Sequence, residues 1–364
     1  MNKLLLLFMA FATLVGQAQN VFEVKGLCIA APNANGVDQF VKFMDEELGP
    51  NGINTLVLRV DFNYAYESRP ELRDENPLSK AQVKQMVAMA KKHGIDLIPQ
   101  VNLLGHQSWA EQTNKLLEVY PQFDETPHVV VPEKYEWPNA DGLYCKSYCP
   151  LHPEVHGVVF DLVDEIMDVF EADAFHAGMD EVFYIADDKC PRCQGMDPAT
   201  VFANEVNKIS RHLQANNKRL WIWGDRLIDA STSGIGMWEA SMNNTARAID
   251  LIDRSVVICD WHYEMAVPTP ALFALKGLSV ISCPWRTPKV ATEQVNMMHL
   301  FKENAPEKIK DHYMGVMQTV WSPASTFIES YHAQKTKEED PKTQEACFRA
   351  MLAAIKELES NVPM

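Results

Sequence analysis

Two adjacent carboxylates, Asp180 and Glu181, stand in the stretch AFHAGMDEVFYI (174–185), behind a small-residue turn and flanked by apolar residues. Burying a carboxylate is costly unless it is paired or neutralised, so this placement is either a surface turn or a reactive site. One chemistry that calls for two carboxylates is glycosidic hydrolysis, where an acid protonates the leaving oxygen and a nucleophile attacks the anomeric carbon. Side chains of neighbouring residues are expected to diverge, leaving little room for a sugar between them. The pair suits a route in which the substrate's own 2-acetamido oxygen attacks the anomeric carbon and closes an oxazolinium ring. Asp180 then orients the amide N–H, and Glu181, with its longer reach, protonates the leaving group and later activates water. A negative neighbour helps keep Glu181 protonated near neutral pH. This route needs neither metal nor cofactor.

The elements that must position such a pair follow from the apolar runs. Strand candidates are VKGLCIA (24–30), NTLVLRV (54–60), DLIPQVN (96–102), AFHAG (174–178), RLWIWGD (219–225), SVVICDW (255–261), LSVISCPW (278–285) and GVMQTVWS (315–322). Each is short and rich in β-branched or aromatic residues. Between them lie amphipathic segments with helix signals: 78–94, capped by Ser79 and ended by Gly94; 152–170, with Pro153 in the first turn; and 197–217, opened by Asp197 and Pro198. Repeated strand–helix alternation predicts an α/β fold, a single (β/α)8 TIM barrel. A doubly wound sheet is the runner-up, but LCIAAPNANG after the first strand is not a Gly-rich phosphate turn. In such a barrel the chemistry sits at the C-terminal strand ends. Those ends carry Asp61, Asn102 and His106, Asp180 and Glu181, Trp223 and Asp225, Asp260 and Trp261, Trp285, and Trp321. Acids, a histidine and tryptophans on one rim predict a carbohydrate site, since flat sugar faces stack on aromatic rings.

In this context FHAGMDEV resembles the His-x-Gly-Gly-Asp-Glu signature of glycoside hydrolase family 20, the β-N-acetylhexosaminidases, with Met179 in place of the second glycine. The resemblance extends over most of the chain after its N-terminal run. VDFNYAYESRPEL (60–72) is similar to the family's strand-two segment, implying a supporting role for Asp61. IPQVNLLGHQSWA (98–110) is similar to its Pro-Gly-His segment, which implies that His106 stands beside the acids. LWIWGD, CDW and VWS imply Trp223, Trp261 and Trp321 as pocket walls. His176 is either a substrate-side residue or a hydrogen-bonded core histidine, and Trp285, which no family position supports directly, is either wall or core. The family's strand-one arginine has no counterpart in GLCIAAPN, its strand-seven tyrosine is absent from SCPWRTP, and Ser322 and Pro323 replace the acid that follows the strand-eight tryptophan. The resemblance therefore implies a divergent member that keeps the acid machinery while its grip on the sugar has changed.

The opening run MNKLLLLFMAFATLVGQAQ has one lysine, a long apolar stretch and small residues at Gly16 and Ala18, which predicts a cleavable signal peptide over residues 1–19 and export of residues 20–364 as one catalytic domain. A formal net charge of -16 argues against nucleic-acid partners and anionic membranes, leaving a glycan or glycoconjugate as the expected partner, with no membrane insertion. Oligomeric state is not legible. YCKSYC and KCPRCQG supply Cys145, Cys149, Cys190 and Cys193 near one rim; this spacing serves either a structural zinc or disulfides, and a thioredoxin-like redox role fits the context poorly. Two rival functions stand beside the hexosaminidase: a glycosidase for a different sugar, and a carbohydrate-binding protein that has lost turnover.

Overall fold

The computed structural model describes residues 20–334 and 342–361, so the expected signal peptide lies outside the described residues. Strands β1 (Val24–Ala30), β2 (Thr55–Arg59), β3 (Asp96–Leu103), β4 (Ala174–Gly178), β5 (Arg219–Trp223), β6 (Val257–Trp261), β7 (Ser279–Cys283) and β8 (Tyr313–Thr319) correspond to the predicted runs. Each pairs in parallel with its sequence neighbour, and β8 returns to β1 to close the barrel. The seam is tight: a Cβ on Gly315 (φ 146) would lie 2.0 Å from the Val24 carbonyl oxygen.

Strand periodicity sorts two cores. Val57, Ile98, Trp221, Cys259, Ile281 and Met317 point inward and fill the lumen. Leu56, Leu58, Phe175 and Ile258 point outward against the helices. These include α1 (Val37–Phe43), α2 (Lys80–His93), α3 (Val155–Phe170), α4 (Pro198–Gln214), α5 (Thr269–Leu275), α6 (Pro288–Asn304), α7 (Ala324–Gln334) and α8 (Gln344–Asn361). Helix α2 has the expected ends: Ser79 and Gln82 form a reciprocal capping box, and Gly94 closes it in the left-handed conformation. Asp197 caps α4 by accepting from the Thr200 N–H. Helix α3 starts later than expected, at Val155 after Glu154, which leaves Pro153 outside its first turn.

The same alternation removes one predicted rim acid. Asp260 sits between inward-facing Cys259 and Trp261, so it turns outward, where its carboxylate meets Thr269 Oγ1 at 2.6 Å and His262 Nε2 at 3.2 Å. Between β3 and α3 the chain makes a long excursion over the C-terminal rim. It includes a short hairpin of Ser108–Trp109 with Gln112–Thr113, and carries Tyr144, Cys145 and Cys149.

Candidate active site

The C-terminal end of β4 is built from residues in the sparsely populated left-handed region. Gly178 (φ 66), Met179 (φ 68) and Glu181 (φ 49) have positive φ, as do Asp61 (φ 48) and His106 (φ 54) on neighbouring strand ends. For non-glycine residues this costs about 1–2 kcal/mol each, and such outliers concentrate where geometry serves function. At Gly178 a side chain is excluded as well, since a Cβ would lie 2.4 Å from Asn102 Oδ1. Met179 accepts the strain as a fully packed core residue, 1% exposed.

The turn brings the two acids together rather than apart, which corrects the expected divergence of their side chains. Asp180 Oδ2 and Glu181 Oε2 each lie 3.3 Å from His106 Nε2. The left-handed backbone at Glu181 redirects its Cβ, and that residue's N–H is held by Asp225 Oδ2 at 2.9 Å. Asp225 is itself buried and accepts from Arg226 Nε at 2.6 Å and from Trp261 Nε1 at 3.3 Å. The second oxygen of Asp180, Oδ1, is buried and has no hydrogen-bond partner among the described residues.

The electrostatics separate the three groups. Burial works against the His106 charge, but the Asp180 carboxylate and the Cys145 sulfur outweigh it and hold the imidazolium well above its ordinary 6.5. Burial also pushes Asp180 up, yet the His106 charge and hydrogen bond prevail and keep it below 3.8. At Glu181 burial prevails over His106, with Asp180 and Asp225 adding to it, so its carboxyl is raised above 4.5. Two like acids are thus split into an anionic and a protonatable member.

Asp61 stands at the end of β2 with Oδ1 accepting the Asn102 N–H at 2.7 Å, and a cleft of ≈ 590 Å³ opens past Asp61, Asn102 and His106. His176 is fully buried; its Nδ1 accepts the Gly178 N–H at 3.0 Å and its ring lies 4.5 Å from Trp223, so it braces the turn from below. Trp223 packs 6.0 Å from Trp321. Trp261 and Trp285 flank Tyr263, at 4.9 and 5.1 Å. Trp285 is also tied to α8, through Gln344 Oε1 at 2.9 Å.

Several site residues lay outside the sequence reading. Tyr263 follows β6, and its hydroxyl accepts from Trp321 Nε1 at 3.0 Å. Arg59 ends β2 on the inward parity of Val57, and its guanidinium lies 4.5 Å over the Trp321 ring. Tyr144, from the β3–α3 excursion, meets Trp109 at 5.1 Å and Trp238 at 4.7 Å edge-to-face beside the acids. The inward parity of Arg59 was a readable signal; nothing local marked the others. Among the described residues two groups bring ligand-type atoms within 4.8 Å of one another: His106, Asp180 and Glu181, and separately Glu125, Cys149, Cys190 and Cys193.

A parallel (β/α)8 barrel with a histidine-bridged pair of acids on its C-terminal rim defines the class of protein. The particular family is shown by the match of residues 62–333 to the catalytic domain of glycosyl hydrolase family 20: the chain belongs to that family. A beta-hexosaminidase of Akkermansia muciniphila is 29% identical over 120 residues, covering 33% of this chain and 22% of that protein. A lacto-N-biosidase of Bifidobacterium bifidum is 22% identical over 219 residues, covering 57% of this chain and 18% of that protein. These matches span about a fifth of the length of either curated relative. Among solved structures, a beta-N-acetylhexosaminidase superposes with a TM-score of 0.63 at 19% identity, over 91% of this chain and 71% of that one, which bears on the fold.

Proposed function

We propose that this chain is an exported glycosidase that releases terminal β-linked N-acetylhexosamine from glycans by a substrate-assisted, retaining mechanism. The observation that carries this reading is the shared histidine. Two carboxylates that both lie 3.3 Å from His106 Nε2 leave no space for a sugar ring between them, so they cannot flank an anomeric carbon as acid and nucleophile. The nucleophile must come from the substrate. The acetamido oxygen attacks the anomeric carbon while Glu181, with its raised pKa, gives its proton to the leaving oxygen. Asp180 accepts the amide N–H, a role for which its buried, unpartnered Oδ1 is suited, and its negative charge offsets the positive charge that develops on the oxazolinium. Glu181, now a carboxylate, takes a proton from water as that water opens the ring at the anomeric carbon, giving retention.

Trp223, Trp261 and Trp321 serve as the walls of the sugar pocket, with Trp285 behind Tyr263 and His176 beneath the turn. Arg59 and Tyr263 supply from β2 and the β6 loop the polar groups that β1 and β7 lack, and Asp61 holds the β3 end through Asn102. Residues 1–19 act as a cleavable export signal. Among the described residues no helix is long and apolar enough to cross a membrane.

The test is hydrolysis of aryl β-N-acetylglucosaminide and β-N-acetylgalactosaminide by wild type, Glu181→Gln and Asp180→Asn. Each substitution is expected to lower turnover at least ~100-fold, the scale of general acid–base help. A wild type inactive on both sugars sinks the hexosaminidase reading and favours a binding protein or another sugar. A fully active Glu181→Gln sinks the assignment of roles.

A further inference from the structure

Far from any substrate role, three of the four rim cysteines meet a buried acid. Cys149 Sγ and Cys190 Sγ are 3.6 Å apart, Cys193 Sγ lies 2.7 Å from Glu125 Oε1, and one ligand atom from each of the four residues falls within 4.8 Å of all the others. All four side chains are buried, Glu125 completely so. The fourth cysteine of the sequence pattern is elsewhere: Cys145 Sγ donates to the Glu181 carbonyl at 3.5 Å. The Glu125 carboxylate receives neutral donors, among them the Cys193 thiol and the Asp187 N–H at 3.0 Å, and its Oε2 has no hydrogen-bond partner among the described residues. The nearby cation Lys146 is engaged by Asp124 Oδ2 and the Thr126 carbonyl. A buried carboxylate oxygen left in this state among soft sulfurs calls for a cation.

We propose that Cys149, Cys190, Cys193 and Glu125 form a structural zinc site that clips the β3–α3 excursion to the loop after β4. Zinc held by thiolates at about 2.3 Å in a tetrahedron sets neighbouring sulfurs roughly 3.8 Å apart, close to the spacing seen here. Thiolate-rich sets select zinc over magnesium or calcium, which take oxygen ligands. A disulfide is the poorer solution. It uses two of the three sulfurs, strands the third, and leaves the charge on Glu125 uncompensated. Zinc binds the thiolate form of cysteine, so its binding releases thiol protons to the solvent. The clip joins residue 125 and residue 149 of one loop to residues 190 and 193 of the other. That second loop carries Asp180 and Glu181 near its start, and the first carries Tyr144 and Cys145 over the acids. Zinc here stabilises the wall of the site and takes no part in the chemistry.

The full chain, purified from zinc-supplemented culture, is expected to hold about one zinc per molecule through dialysis, with X-ray absorption showing sulfur ligands near ~2.3 Å. Cys193→Ser should lose the metal. Glu125→Gln, which preserves shape and all three thiols, should weaken zinc affinity at least ~10-fold in chelator competition. Cys145→Ser should keep full zinc. Stripping zinc from wild type should speed amide exchange in segments 121–128 and 187–196. The proposal is overturned by wild type that binds no zinc, by a Cys149–Cys190 or Cys190–Cys193 disulfide in alkylation mass spectrometry, by zinc loss in Cys145→Ser, or by unchanged affinity in Glu125→Gln. None of these readouts depends on glycosidase activity.

Discussion

At the scale of single residues, the behaviour of the site turns on one imidazolium between two acids. In the mechanism proposed above, activity requires Asp180 ionised and Glu181 protonated. Rate should therefore rise as pH climbs through a depressed Asp180 pKa and fall as it passes a raised Glu181 pKa, giving a bell-shaped kcat/KM profile. His106 lowers both carboxyl groups, so His106→Gln is expected to move both limbs of the bell to higher pH, and an unmoved profile would remove the imidazolium from this account. Stability has its own sign. The folded-state pKa of His106 lies well above 6.5, so its contribution is full below 6.5 and is lost as pH rises through the raised value. The general-acid role proposed for Glu181 also has a leaving-group signature: the deficit of Glu181→Gln should be larger for an alkyl glycoside than for a nitrophenyl glycoside, which departs without a proton.

At the scale of elements, the strand ends matter more than the strands. Gly178 lets β4 turn beneath the acids at φ 66, against Asn102. Gly178→Ala is expected to cost at least ~1–2 kcal/mol from the backbone alone, and more from the clash. Urea unfolding measures the first loss, and a drop in kcat larger than the rise in KM reports displaced acids. Neighbouring elements also exchange duties at this rim. Arg59 on β2 reaches over Trp321 at 4.5 Å, and the Tyr263 hydroxyl accepts from Trp321 Nε1 at 3.0 Å. If these groups grip the sugar, Arg59→Lys should raise KM with little change in kcat, because a lysine has no planar face to stack on the indole. An unchanged KM would leave Arg59 a packing residue.

At the scale of the molecule, closure holds the rim together. The β1–β8 seam depends on Gly315, where a Cβ would meet the Val24 carbonyl at 2.0 Å. Gly315→Ala should destabilise the whole barrel by about 3 kcal/mol or more, read as a lower urea midpoint with β1 and β8 amides losing protection together. Close by, Lys25 on β1 pairs with Glu359 of α8 at 2.9 Å in a mostly buried setting, 11% and 21% exposed. Glu359→Gln, which keeps the shape but removes the charge, should therefore cost about 1.5–3 kcal/mol. The family match begins at residue 62, beyond β1 and β2, yet β2 supplies Arg59 and β1 supplies one side of the closing seam.

The sequence by itself determined the eight strands, the barrel and the place of the acids, because these follow from local pattern. Short β-branched runs, helix caps such as Ser79 and Asp197, and the Asp180–Glu181 pair at a strand end are all properties of neighbouring residues. Period-two alternation was equally available, and applied to 257–261 it turns Asp260 outward, away from the rim where its strand-end position alone had put it. Tertiary structure decided what depends on residues distant in the chain or on backbone handedness. The acids converge on His106 because Glu181 is left-handed and its N–H is held by Asp225, 44 residues away. Tyr263 and Tyr144 reach the site from loops that carry no periodic signal. The cysteine spacing announced a cluster, but only the folded chain exchanges Cys145 for Glu125. Spacing counts residues along the chain, whereas ligand geometry depends on which side chains the barrel rim turns toward one another.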